Sequence, residues 1–300
     1  MAPPTKRILG RSTLGCTVVI LVFGKTGQVA TELQRLDDVL ALGRDQADLS
    51  DPVACVRVIR DLVPCAVINA AAYTAVDIAE KDEELATIIN GDTPTAIAQA
   101  CADMQIPLIH VSTDYVFEGS GEAAWKPGDT TAPQSAYGRS KLAGEEGIRI
   151  SGATHAILRT SWVVSAHGAN FVKTMLNVSE TRDTLSIIAD QIGGPTPAND
   201  IAGACLKMAR QLQEDPSKSG TYHYNGAPNV SWADLASEIF AQAARSVNVI
   251  PIQTTEYLTP AKRPLNSRMD CRATMDRFGV KQPDWRIGLN EILKELEVIA

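Results

Sequence analysis

Thr17-Val-Val-Ile-Leu-Val-Phe23 runs straight into Gly24-Lys-Thr-Gly27-Gln-Val-Ala30, and this junction decides the fold. The first half is short, continuous and β-branched, which is how a strand buried on both faces of a parallel sheet reads. The second half spaces its small residues as G-x-x-G-x-x-A. Glycines after a strand let the backbone turn sharply and approach a pyrophosphate. That anion then sits on the amino end of the next helix, where free N–H groups and the helix dipole favour it. Ala30 stands where a third glycine is usual, at a helix–strand packing position. The loop is not of the G-x-x-x-x-G-K-[ST] kind, because Lys25 follows the first glycine directly. Lys6 and Arg7 ahead of the apolar run Leu14 to Phe23 give a superficial likeness to an export signal, but the run ends in Gly24-Lys25-Thr26-Gly27 and not in a small-residue cleavage site. Residues 1–16 read as a flexible N-terminal extension.

Working outward, strand and helix alternate. A helix is expected over Val29 to Asp38, then a strand over Val39 to Leu42. Asp51-Pro52 opens a helix through Leu62, with Asp as the cap and Pro at the first helical position. Ala66 to Asn69 is a third strand, Glu80 to Asn90 and Pro94 to Met104 are helical, and Pro107 to Ser112 is a fourth strand. Ala136 to Ile150 is a further helix and Ala156 to Ser161 a further strand. This alternation predicts an α/β, Rossmann-like, doubly wound parallel sheet. From about 162 onward Pro and Gly punctuate the pattern (Gly193 to Pro197, Pro260 to Pro264), between helices around 199–213 and 231–245. The expectation is a nucleotide-binding domain over 17–161. A smaller, irregular α/β substrate lobe follows over 162–300, with some segments returning to the sheet.

Composition narrows the partners. The chain has 300 residues, 45% apolar and 21% charged, with 28 Lys+Arg against 35 Asp+Glu and a net charge of -7. That is an ordinary globular balance, without the basic field that nucleic acid requires. No apolar run reaches the ~20 residues needed to span a bilayer. The six cysteines and four histidines are scattered, with no C-x-x-C, so neither a zinc site nor a disulfide framework is expected and a reduced, cytoplasmic setting fits.

Chemistry collects after the strands. Gly43-Arg44-Asp45 ends the second strand, where a basic residue tolerates the extra phosphate of NADP and an acidic one pairs with the ribose diol of NAD. Arg44 therefore leans to NADPH, while Asp45 leaves NADH open. Asp48 and Leu49 fall where an adenine edge can be held. Ala70, Ala71 and Ala72, followed by Tyr73, end the third strand with small side chains that let a cofactor lie close. Ser112-Thr113 ends the fourth strand, and Tyr137 and Lys141 sit one turn apart on the next helix. A free phenol has a pKa of ~10. A neighbouring ammonium favours the phenolate and brings the phenol toward working pH. With the Thr113 hydroxyl on a substrate carbonyl, these groups suit reduction of a ketone, the proton coming from Tyr137.

In this order the blocks resemble the extended branch of the short-chain dehydrogenase/reductase family, and within it the dTDP-4-dehydrorhamnose reductases. The matching stretches are Phe23 to Val29, Asn69 to Asp77, Ser112 to Phe117, Tyr137 to Glu145, Arg159 to Trp162, Asn170 to Leu176, Asp190 to Thr196 and Arg263 to Arg268. The resemblance implies reduction of dTDP-4-dehydro-β-L-rhamnose to dTDP-L-rhamnose with NADPH, on a dTDP-linked 4-keto sugar. It implies a catalytic set of Thr113, Tyr137 and Lys141, and cofactor contacts from Gly24, Lys25, Thr26, Gly27, Gln28 and Val29. It puts Asp114 and Tyr115 at the substrate, Trp162 against the sugar or nicotinamide, and Asn170, Lys173, Arg263 and Arg268 toward the diphosphate. Some members are magnesium-dependent through acids near a dimer contact. Glu32 fits one such position, but Asn199 stands where another carboxylate is expected. No metal ligand is assigned, magnesium stays open, and so does a homodimer. Two rivals remain: an epimerase or dehydratase of the same superfamily, which would place an acid pair after the Thr where this chain has Asp114-Tyr115, and a non-catalytic NADP-binding regulatory subunit.

Overall fold

Ile20 and Val22 pack into one apolar cluster and Leu21 and Phe23 into another, so the strand Ile20–Phe23 is covered on both faces. The computed structural model describes residues 19–300. The expectations for residues 1–16, for a strand beginning at Thr17 and for Cys16 lie outside the described residues.

The strand β1 (Ile20–Phe23) leads into α1 (Gln28–Leu36), β2 (Val39–Leu42), α2 (Pro52–Leu62) and β3 (Ala66–Asn69). Asp51 caps α2 as expected, its side chain accepting from the Ala54 amide at 2.9 Å. A short α3 (Val76–Ala79) precedes the expected helix over Glu80 to Asn90, which begins instead at α4 (Glu83–Thr87) and widens into a π-helical turn at Ile88–Asp92. The widened turn carries Asn90. Its buried amide clamps the backbone of Tyr73, accepting from Tyr73 N at 2.8 Å and donating to Tyr73 O at 3.0 Å. α5 (Thr93–Met104), β4 (Leu108–Thr113), α6 (Ala136–Ile150) and β5 (His155–Thr160) follow.

The chain continues through β6 (Val163–Val164), α7 (Phe171–Val178), β7 (Thr184–Ile188), β8 (Ile192–Gly193), β9 (Thr196–Pro197) and α8 (Ala198–Glu214). β10 (Gly220–His223), β11 (Val230–Ser231), α9 (Trp232–Gln242), β12 (Asn248–Ile252), β13 (Asn266–Ser267), α10 (Arg272–Phe278) and α11 (Trp285–Glu295) complete it. Six strands form one parallel sheet in the order β10-β5-β4-β3-β1-β2. α1 and α8 cover one face; α2, α5 and α6 cover the other. Sheets of this kind bind ligands beyond the carboxyl ends of the strands, where the order reverses. Here that point lies between β1 and β3. β10 and α8 come from the later part of the chain yet complete this sheet and its cover. A third apolar cluster, from α7, α9 and α11 with the short strand pairs, forms the remaining lobe above it.

Candidate active site

A cleft of about 1180 Å³ opens between the carboxyl ends of the strands and the upper lobe. Its floor is the turn Gly24, Lys25, Thr26, Gly27, Gln28 and Val29. Gly24 has φ 110, in the region that glycine alone enters freely, and a Cβ there would touch Ala71 N and the Ala30 Cβ, both at 3.4 Å. Ala30, in the position usually held by a third glycine, thus packs directly on the first. Gly27 caps α1 without any side-chain bond, and the first turn of α1 carries no acid. A Cβ at Gly27 would meet open space. An uncapped, uncharged helix start facing a cleft fits the diphosphate of a dinucleotide.

Arg44, Asp48 and Leu49 line the same end of the cleft. The Arg44 side chain is 80% exposed, and its only ion pair among the described residues is a long one, Nε to Asp48 Oδ1 at 3.9 Å. Asp45 is not among the described lining residues. Ala70, Ala71 and Ala72 line the cleft, and Tyr73 does not; Asn90 holds its backbone and its hydroxyl faces Asp82 at 3.4 Å.

Thr113, Asp114, Tyr115, Tyr137 and Lys141 meet in the middle of the cleft. Ser135 caps α6 by accepting from Gly138 N at 3.1 Å. Gly138 lets α6 approach the turn after β4, because a Cβ there would fall 2.3 Å from the Tyr115 carbonyl oxygen. The rings of Tyr115 and Tyr137 consequently meet edge to face at 5.4 Å. Burial pushes the Tyr137 phenol up to about 12, the Thr113 hydroxyl drawing it down and Asp114 adding to the rise. This departs from the expectation that Lys141 brings the phenol toward neutrality. Lys141 is turned to other partners: its Nζ donates to the Val111 carbonyl at 2.8 Å and lies 3.0 Å from His110 Nε2. Burial lowers the Lys141 ammonium to about 8, with Glu145 acting in the opposite sense. Burial likewise raises the Asp114 carboxyl to about 6 against the pull of the Ser267 and Thr113 hydroxyls.

Of the residues expected on the substrate side, Trp162 and Arg263 line the cleft; Asn170, Lys173 and Arg268 are not among its described lining residues. Asn170 caps α7 and donates to Gln28 Oε1 at 3.0 Å and to Ser165 O at 2.8 Å. Lys173 Nζ donates to Ala166 O at 3.1 Å. Both brace the loop beside Gln28. Arg268 is turned onto Asn266 Oδ1 at 3.0 Å. Trp162 has φ 49, a strained value for a bulky residue, and stacks on Trp232 at 3.6 Å with Phe171 at 4.6 Å from Trp232. Trp232 in turn donates to Gln191 Oε1 at 3.1 Å. Trp232, Phe171, Gln191, Asp77 and Ser267 also line the cleft and were missed in the sequence. Phe171, Gln191, Asp77 and Ser267 carried a signal only by lying inside the quoted blocks, and Trp232 carried none.

Beside a second cavity, of about 520 Å³ and lined by Asn199, the groups Glu32, His167 and Glu295 bring three possible ligand atoms within 4.8 Å of one another. The Arg35 guanidinium already pairs with Glu295 at 2.6 Å and Glu32 at 3.4 Å.

The profile of the family described as "RmlD substrate binding domain" matches residues 18–298. The chain is 42% identical over 276 residues to a dTDP-4-dehydrorhamnose reductase of Sinorhizobium fredii, covering 89% of this chain and 93% of that one. A dTDP-4-dehydrorhamnose reductase of Clostridium acetobutylicum has a similar solved structure, with TM-score 0.86, 33% identity and coverage of 93% of this chain and 99% of that one. Another, of Bacillus anthracis in complex with NADP, superposes with TM-score 0.85 at 33% identity, covering 92% and 98%.

Proposed function

The chain belongs to the RmlD substrate binding domain family, and from that premise we propose that it is an oxidoreductase that reduces dTDP-4-dehydro-β-L-rhamnose to dTDP-L-rhamnose with NADPH. The observation that carries this reading is the single cleft in which the open amino end of α1, Thr113, Tyr137 and Lys141 come together.

Gly24 to Val29 would hold the cofactor diphosphate, Arg44 the extra phosphate of NADPH, and Asp48 and Leu49 the adenosine end. Ala70 to Ala72 give it a flat wall. When bound, a reduced nicotinamide supplies the hydride that the ketone carbon accepts. The chain's own work is on the oxygen. The Thr113 hydroxyl, which donates to Asp114 Oδ1 at 3.1 Å, would turn that one proton to the carbonyl, and the Tyr137 phenol gives its proton as negative charge grows there. A phenol held up at about 12 arrives at that moment still protonated. Lys141, held by the Val111 carbonyl, would offer a remaining N–H to the nicotinamide ribose, and solvent returns the proton to Tyr137. Asp114 Oδ2 is buried without a hydrogen-bond partner among the described residues, an acceptor suited to a sugar hydroxyl. Trp162 offers an apolar face to the sugar, and Arg263, its Nη groups already on Asp77, brings its remaining N–H groups and its charge toward the diphosphate. In this reading 17–161 serve mainly the cofactor and 162–300 mainly the substrate.

The test is product identification. The purified protein is incubated with NADPH and, separately, dTDP-, GDP- and UDP-linked 4-keto sugars. NADPH consumption with dTDP-4-dehydrorhamnose, yielding dTDP-L-rhamnose by NMR, is expected. Consumption with another nucleotide alone, or none with any of them, overturns the proposal.

A further inference from the structure

His110 lies on β4, one residue before the Val111 whose carbonyl receives Lys141. It is completely buried, as is Asn69 at the end of β3. Both nitrogens of its ring face nitrogen atoms: Nε2 is 3.0 Å from Lys141 Nζ, and Nδ1 is 3.2 Å from the Asn69 amide nitrogen. A neutral imidazole has one N–H and one lone pair, and an ammonium has only donors. A charged Lys141 therefore requires the lone pair on Nε2 and the proton on Nδ1. That proton in turn needs an acceptor, so the Asn69 amide must present its oxygen to the ring, giving up the long 3.3 Å bond its oxygen takes from Ala71 N. One other neutral network fits the same atoms. In it Lys141 is uncharged, Nε2–H donates to Nζ, and the Asn69 NH₂ donates to Nδ1. An imidazolium meets a second donor at a charged Lys141 and is opposed by burial, by Lys141 and by His155 on β5. The ring tautomer is thus tied to the charge on the lysine.

We infer that His110, in its Nδ1–H tautomer, is a positioning residue for Lys141. Its Nε2 lone pair and the Val111 carbonyl take two of the ammonium's three N–H bonds and leave the third for the cleft. The inference rests on the reductase reading of Tyr137 and Lys141. Few other ionisable groups act on the pair. Glu145, one turn along α6, favours the ammonium and is itself held by Arg159 and Ser112. Tyr137 on the same helix and Asp114 after β4 line the cleft beside it. An acceptor behind a buried ammonium keeps it charged where burial alone would neutralise it.

The direct test needs no substrate. Nitrogen-15 NMR of the histidine-labelled full chain distinguishes the two tautomers. At pH 6.5, Nδ1–H with a bare Nε2 is expected at His110, changing to Nε2–H as Lys141 loses its proton. Nε2–H or an imidazolium at pH 6.5 overturns the inference. The second test uses variants. His110→Phe should move the alkaline limb of kcat/KM down by at least about one pH unit, and His110→Gln, which keeps an acceptor, should restore it. A wild-type limb in His110→Phe refutes the role. If His110→Phe does not fold, a His110→Gln limb displaced as far as that of His110→Leu refutes it equally. A chain that shows the expected tautomer but reduces no nucleotide sugar retains the contact and loses only the reductase reading.

Discussion

Arg263 closes on Asp77 with both prongs of its guanidinium, at 2.9 and 2.6 Å, and so ties the segment after β12 to α3 at the cleft. The pairing holds the Asp77 carboxyl below its usual range. It also holds the guanidinium partly buried at the cleft wall. Replacing Arg263 by Ala should raise KM for the dTDP-sugar about tenfold and leave KM for NADPH nearly unchanged. Arg263→Lys should not restore it, because an ammonium cannot fill a two-pronged site. Steady-state kinetics with each substrate varied in turn check this; an unchanged sugar KM removes Arg263 from the binding surface.

The activity should fall as pH rises through about 8. Lys141 is charged below that value and neutral above it. Reduction uses the ammonium and the protonated phenol, and raising the pH removes protons from both, so the sign is the same for each group. A profile of kcat/KM at saturating NADPH should be flat from the limb down to about pH 6, where the Asp114 carboxyl takes up its proton. A limb near the ordinary lysine value, or activity rising with pH, contradicts the assignment of Lys141.

Arg44, exposed beside Asp48, should govern the choice of cofactor. A charged hydrogen bond is worth about 1.5 kcal/mol or more, so Arg44→Ala should raise KM for NADPH about tenfold and change that for NADH less than about twofold. Equal changes for both cofactors would remove the phosphate contact.

Beneath the site, Glu145 and Arg159 form a buried pair with bonds of 2.9 and 2.6 Å, and Ser112 donates to the same carboxylate at 2.6 Å. This links α6, which carries Tyr137 and Lys141, to β4 and β5. Glu145→Gln leaves a buried guanidinium without its counter-charge and should cost about 3–5 kcal/mol in denaturant unfolding. A loss within ~0.5 kcal/mol, the range usual for surface changes, would show that the pair is not a structural anchor.

Local chemistry made much of this legible in the sequence. The Asp51 cap, the strand Ala66 to Asn69 and the helix Ala136 to Ile150 are written in neighbouring residues, and the structure follows them closely. The widened turn at the end of Glu80 to Asn90 was not legible, because the partners of Asn90 are Tyr73 and Ser140, far away in the chain. The same holds in the cleft. Gly24, Thr113, Tyr137 and Lys141 are marked by spacing, whereas Trp232 and Phe171 reach the wall only when α7 and α9 pack together beside Trp162. His110 reads in sequence as one more residue of a buried strand. Asn170 and Lys173 lie in a matching block, yet serve as loop braces, a role that depends on Gln28 being opposite.

The most direct measurement is turnover by Tyr137→Phe with NADPH and dTDP-4-dehydrorhamnose, set beside its affinity for NADPH alone. Loss of the phenolic proton should lower turnover about 100-fold or more while cofactor affinity stays close to that of the unaltered protein. A Phe variant that reduces the sugar at the original rate would contradict the role of this phenol as proton donor.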